Sequence, residues 1–275
     1  MTDFEKILQY IENTKRKDDF VLLDADLQNA NLMGLDLNRF DLRGANFNNA
    51  DLRKTNLSHA NLKGASFVGA NLSGAILDYA YLYGAKLTET KLTDAKLIGT
   101  KLTGVNLSTA VLLGCDFNHA NLSYSYCRNN EVNYVNFTKA NLSNSDFSGS
   151  NLSNSNLTSA DLHSANFSNV IINDANFTEA NLESADLKEA ISTFVNFTKA
   201  NLKRTVLSNA QLSGSIFVDA KMIHARLYDT NLTKAKLMGV DLSGAHLENT
   251  RLFGANLSGA SIDEYYDIEC LKTMF

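Results

Sequence analysis

The chain has 275 residues, with 25 basic and 30 acidic side chains, a net charge of −5, and neither proline nor tryptophan. That balance excludes a strongly basic nucleic-acid binder and falls short of an acidic polyelectrolyte. The missing proline suits a backbone whose N–H groups pair with neighbouring chain on both sides.

The first segment opens with Thr2-Asp3-Phe4-Glu5, which reads as a capping box, and Phe4, Ile7, Leu8 and Ile11 fall on one helical face. Lys15, Arg16 and Lys17 suit that helix's C-terminal end. The segment is charged throughout and lacks the apolar core of a signal peptide, and no later stretch approaches the length of a membrane-spanning helix. The expectation is a helical cap over residues 1–20 of a cytoplasmic protein with no membrane contact.

From residue 25 to 262 a five-residue unit repeats with no insertion or deletion. Of its 48 central positions, starting at Leu27, 33 are Leu and nine are Phe. The other six are Cys127, Val132, Ile172, Ser192, Met222 and Ile262. A small residue, mostly Ala, stands two before each centre, and Asn or Asp dominates the position just before it. A period of five fits neither helix nor strand alone, but it fits a solenoid that turns a corner every five residues. All fifteen glycines lie two residues after a centre, sharing that slot with Asn and Asp, as the third position of a type II turn requires. The nine Phe (47, 67, 117, 137, 147, 167, 177, 197 and 217) all fall in alternate units. A four-sided coil predicts this: two opposite walls carry Phe and two carry mainly Leu.

The units ANLSG, ADLHS, ANFTE and AKLIG resemble the A(D/N)LXX signature of pentapeptide-repeat proteins. The resemblance implies an all-β fold, a right-handed quadrilateral parallel β-helix with four pentapeptides per coil. Forty-eight units then make about 12 coils, a rod about 58 Å long at roughly 4.8 Å per paired strand. The expected domains are the cap at 1–20, the β-helix at 21–262, and a second helical cap at 263–275. There Ser261-Ile262-Asp263-Glu264 offers another capping box, and Tyr265, Ile268, Leu271 and Phe275 form an apolar stripe that could also pair two chains.

Candidate chemistry is sparse. Cys115, Cys127 and Cys270 have no disulfide or metal spacing, and the five histidines are scattered. No Ser–His–acid set, Walker loop or dinucleotide fingerprint is present, so neither an enzyme nor a cofactor is expected. Two departures from monotony mark candidate protein contacts. Lys86, Lys91, Lys96 and Lys101 replace Asn or Asp in four consecutive units, a basic girdle around one coil. Tyr79, Tyr81 and Tyr83 sit beside it, with Tyr124, Tyr126 and Tyr134 two to three coils further on, all in outward slots. Cys127, Asn130 and Ser192 occupy inward slots, and Ile191 and Phe194 are pushed outward beside Ser192; a local bulge or a buried water at Asn130 is expected.

Residues 102–200 hold nine acids and four bases, the one zone able to imitate a phosphate backbone. The expected function is a non-enzymatic, rigid rod that binds an unidentified protein, with no direct nucleic-acid contact. The resemblance also implies two alternatives: a DNA mimic acting on a type II topoisomerase, and a regulator of bacterial, notably cyanobacterial, development.

Overall fold

The computed structural model describes residues 1–13, 20–263 and 266. Helix α1 (Asp3–Asn13) is followed by a right-handed quadrilateral β-helix built of single parallel bridges between residues 20 apart. Its frame begins one unit earlier than the sequence motif, because Val21 already pairs with Asp41. The four walls begin at the centres Leu22 (first), Leu27 (second), Leu32 (third) and Leu37 (fourth). The first and third are opposite, as are the second and fourth.

One unit shows why the motif has its composition. The N–H of Asn156 donates to Val135 O in the previous coil, and that of Leu157 to Asn176 O in the next. Ser159 N–H reaches Thr178 O, and Ala160 N–H closes the turn on Leu157 O. The remaining N–H, at Thr158, donates to the side-chain Oδ1 of Asn156 at 3.1 Å. All five donors of the unit are thus satisfied, and Asn or Asp before the centre supplies the acceptor that regular bridging leaves out. Proline would remove a donor at any of these positions.

The corners follow the predicted turn chemistry. All fifteen glycines have positive φ, between 63° and 72°, and 31 other corner residues also adopt positive φ. Thr109 and Phe194 are the corners that do not, a β-branched and an aromatic residue for which that region is costly.

The centres stack inward. Phe177, Phe197 and Phe217 form one column on the fourth wall with ring centroids 5.0 Å apart, joined there by the Phe117 and Phe137 pair. Phe47 stacks on Phe67, and Phe147 on Phe167, on the second wall opposite. The two walls meet edge to face at Phe137 and Phe147, and again at Phe167 and Phe177. All nine side chains are fully buried.

Threonine hydroxyls in the small slot are satisfied by one repeated bond, whereas the buried Ser125 and Ser215 hydroxyls find no partner among the described residues. Thr55, Thr90, Thr100, Thr205, Thr230 and Thr250 each donate to the carbonyl of the centre 23 residues earlier. The Cys115 thiol does the same toward Leu92 O. For Thr205 the acceptor, Leu182 O, also takes the Ala185 N–H, so removing the hydroxyl leaves no orphaned carbonyl. Thr205→Val is therefore expected to cost only about 1 kcal/mol in denaturant unfolding.

The N-terminal cap forms by the expected box: Glu5 N–H donates to Thr2 Oγ1, and Thr2 N–H to Glu5 Oε2. Ile7 is fully buried, with Phe4 and Ile11 packed beside it. Leu8 is only half-buried, and Tyr10 joins the core packing, closing an aromatic cluster with Phe20 and Phe40. Asp3 Oδ2 accepts the Asp26 N–H, which has no earlier coil to bond. At the other end Asp263 accepts the Gly244 N–H and the Tyr266 hydroxyl accepts the Leu247 N–H. Lys15, Arg16, Lys17, Glu264, Tyr265, Ile268, Cys270, Leu271 and Phe275 lie outside the described residues.

Two expectations are corrected. No bulge occurs at Ser192, since Ile191 pairs 20 residues away with both Ile171 and Gln211. Instead the Ser192 hydroxyl accepts the N–H groups of Phe194 and Val195 and so reshapes the corner without changing register. Asn130 needs no water: its Nδ2 donates to Leu107 O and Ala110 O, both at 2.8 Å. That takes the acceptor that the Glu131 N–H would use, and the bridge between Val111 and Glu131 is missing. The other missing step, Lys86 to Asn106, lies beside Thr109, whose hydroxyl accepts the Glu89 N–H.

Candidate functional site

The four girdle lysines pair with Ser66, Asn71, Ile76 and Tyr81 of the previous coil, one on each wall. They point in four directions and do not form one patch: Lys91 lies on the wall opposite the Tyr81 face. Each also replaces the Asn or Asp acceptor of its unit, and the Ile98 N–H turns to Asp78 of the previous coil instead. Only Lys101 shares a wall with the tyrosines, directly beyond Tyr81.

The first wall nevertheless assembles an aromatic and basic face. Tyr81 and Tyr83 flank the buried Leu82 and are 44% and 38% exposed; Tyr79, 51% exposed, stands at the wall's edge. Tyr79 holds φ at 59°, a corner that Gly or Asn occupies at less cost. Its ring stacks on His59 at 5.2 Å and lies over Gly99, where a Cβ would strike it. The Lys63 ammonium sits 5.7 Å from the Tyr83 ring centre. The other edge of the wall carries Gly64, Gly84 and Gly104, with open space where side chains would be. His59 and Lys63 were not marked in the sequence; their 20-residue offset from Tyr79 and Tyr83 is the signal that finds them.

The remaining candidates lie elsewhere. Tyr124 is two coils along, at the edge shared by the first and second walls. Tyr126 is on the second wall, with the Arg128 guanidinium 5.4 Å from its ring and ion-paired to Asp146. Burial pushes the Asp146 carboxyl upward, but hydrogen bonds from Ser148 and Arg128 outweigh it and hold it below the usual range. Tyr134 belongs to the edge of the third wall. Burial pushes the Cys127 thiol up to about 12 and the Cys115 thiol higher still, so neither is a nucleophile. Among the described residues no cluster of His, Cys, Asp or Glu is arranged to hold a metal, and no helix is long and apolar enough to cross a membrane.

Charge is segregated along the rod. Residues 39–101 hold nine bases and five acids, a net of +4, whereas residues 102–200 sum to −5. The acids of the second zone are spread over all four walls: Asp161 and Glu183 on the first, Asp146 and Asp186 on the second, Glu131 on the third and Asp116 on the fourth.

A family model described as pentapeptide repeats matches in eight copies, over residues 22–58, 55–94, 90–125, 136–174, 175–214, 205–244 and 230–264. Among solved structures the chain is similar to HetL, a pentapeptide repeat protein involved in heterocyst differentiation regulation from the cyanobacterium Nostoc sp. strain PCC 7120. The identity is 27%, covering 96% of this chain and all (100%) of HetL, with a TM-score of 0.29. Full-length QnrB1, a plasmid-mediated fluoroquinolone resistance protein, is 18% identical over 90% of this chain and 95% of its own, with a TM-score of 0.26. Rfr23 from the cyanobacterium Cyanothece 51142 is 24% identical over 50% of this chain and 91% of its own, with a TM-score of 0.21. Comparison with curated proteins gives no match.

Proposed function

This chain belongs to the pentapeptide-repeat family, and from that premise we propose that it is a non-enzymatic interaction rod of the bacterial cytoplasm whose first wall docks an acidic protein surface. The observation that carries this reading is the exposure of Tyr79, Tyr81 and Tyr83 on one flat wall, between Lys63 and Lys101. Tyrosine supplies contact area with little side-chain entropy to lose, and the lysines steer an acidic partner. Among the described residues neither lysine forms an ion pair within the chain, so both charges are free for that role. No cofactor enters this reading, and the buried thiols suit a reducing compartment. The scatter of the acids over four walls favours protein docking over imitation of duplex DNA, whose charges run in two continuous rows.

The test compares two triple variants of the full chain. Tyr81→Ser with Lys63→Glu and Lys101→Glu alters the first wall; Tyr228→Ser with Lys234→Glu and Lys236→Glu makes the same change on distant coils. All six side chains point outward, so both variants should melt like the parent. The first should bind a partner captured from the source cells at least about tenfold more weakly, while the second binds normally. Equal binding by the two would remove the first wall as the docking face.

A further inference from the structure

The third wall, opposite the tyrosine face, carries an exposed apolar pair in one unit: Val111 and Leu113, 45% and 46% exposed, on either side of the buried Leu112. The residues on either side of this unit are complementary to one another. One coil before it the slot of Val111 holds Lys91; one coil after, the same slot holds Glu131. At the corner slot, three coils before is Lys54 and three coils after is Asp174. All four side chains are exposed, and among the described residues none forms an ion pair within the chain.

We infer that the chain forms an antiparallel two-fold dimer through this wall, with the axis passing at Val111 and Leu113. A two-fold axis lying in the interface along the strand direction reverses the coil order but keeps each column facing itself. It therefore sets Val111 and Leu113 against their own copies, Lys91 against Glu131 of the second copy, and Lys54 against Asp174 of the second copy. The corner column then reads Gly34, Lys54, Gly74, Asp94 on one chain against Phe194, Asp174, Asn154, Tyr134 on the other. Large meets small, opposite charges meet, and a tyrosine hydroxyl meets a carboxylate. The groove of about 590 Å³ running past Met33, Arg53, Ser73 and Thr93 receives the bulkier half. No like charges are directly opposed. The same operation lays the +4 zone of each chain along the −5 zone of the other.

The overlap runs from the coil of Met33 to that of Phe194, nine coils or about 43 Å, on a wall roughly 10 Å wide. That is a small interface, so association belongs in the micromolar range. The dimer leaves both first walls facing outward, so this inference and the docking role can fail separately.

Sedimentation velocity on the full-length protein, from low micromolar to a few hundred micromolar, tests it. The parent should dimerise, and Val111→Asp should abolish dimerisation. Lys91→Glu and Glu131→Lys should each weaken it about tenfold, since the two-fold repeats every repulsion; the double variant should recover. All of these side chains are exposed, so each variant should melt like the parent, which thermal unfolding checks. In a Cys270→Ser background, mixing Ser73→Cys protein with Ser153→Cys protein should give a disulfide-linked pair that neither forms alone. A parent that stays monomeric throughout would overturn the proposal, as would a dimer unaffected by Val111→Asp and Lys91→Glu, or an absent mixed cross-link.

Discussion

Replacing Phe197 with alanine should lower the stability of the folded chain by about 3–5 kcal/mol. The ring has no exposed surface and is stacked between Phe177 and Phe217, each with its centroid 5.0 Å away. Neighbouring coils are held 20 residues apart by backbone bridges, so they cannot collapse into the space, and the cavity term adds to the lost burial. Because each coil touches only its neighbours, the rod should also lose cooperativity at this point. Denaturant unfolding would then show a lower midpoint and a shallower slope. The equivalent truncation at Leu257, near the end and 7% exposed, should cost clearly less. Equal losses at the two positions would show that the column of rings does not organise the middle of the rod.

The second large effect is expected at a corner. Gly149 has φ +68°, and a Cβ there meets the Asn129 side-chain oxygen of the previous coil. Gly149→Val should cost about 2–3 kcal/mol, since a branched side chain resists positive φ and Asn129 must also turn away. Gly84 has φ +67° and open space where its Cβ would be. Gly84→Val carries only the backbone strain and should cost about 1–2 kcal/mol. The difference between the two in thermal or chemical unfolding isolates the crowding between successive corners. If both substitutions were silent, the turn geometry would not be as described.

Much of this molecule could be read from the chain by itself. Leu157 faces inward, Ser159 turns the corner and Phe177 stacks on Phe197, all from counting in steps of five and twenty. The physical reason is that every unit sees the same surroundings, so local turn chemistry and inward burial agree throughout, and proximity reduces to a fixed sequence offset. The same counting places the four girdle lysines on four walls, and so puts Lys91 opposite the tyrosine face.

Only the tertiary structure decided what happens where a side chain competes with the repeating backbone bonds. The Ser192 hydroxyl captures two corner N–H groups, and the Asn130 amide takes carbonyls that a bridge would use. Tyr10 is drawn from the helix into contact with Phe20 and Phe40. In each case the outcome depends on which acceptor or surface lies within reach in three dimensions, a quantity that a period of five does not encode.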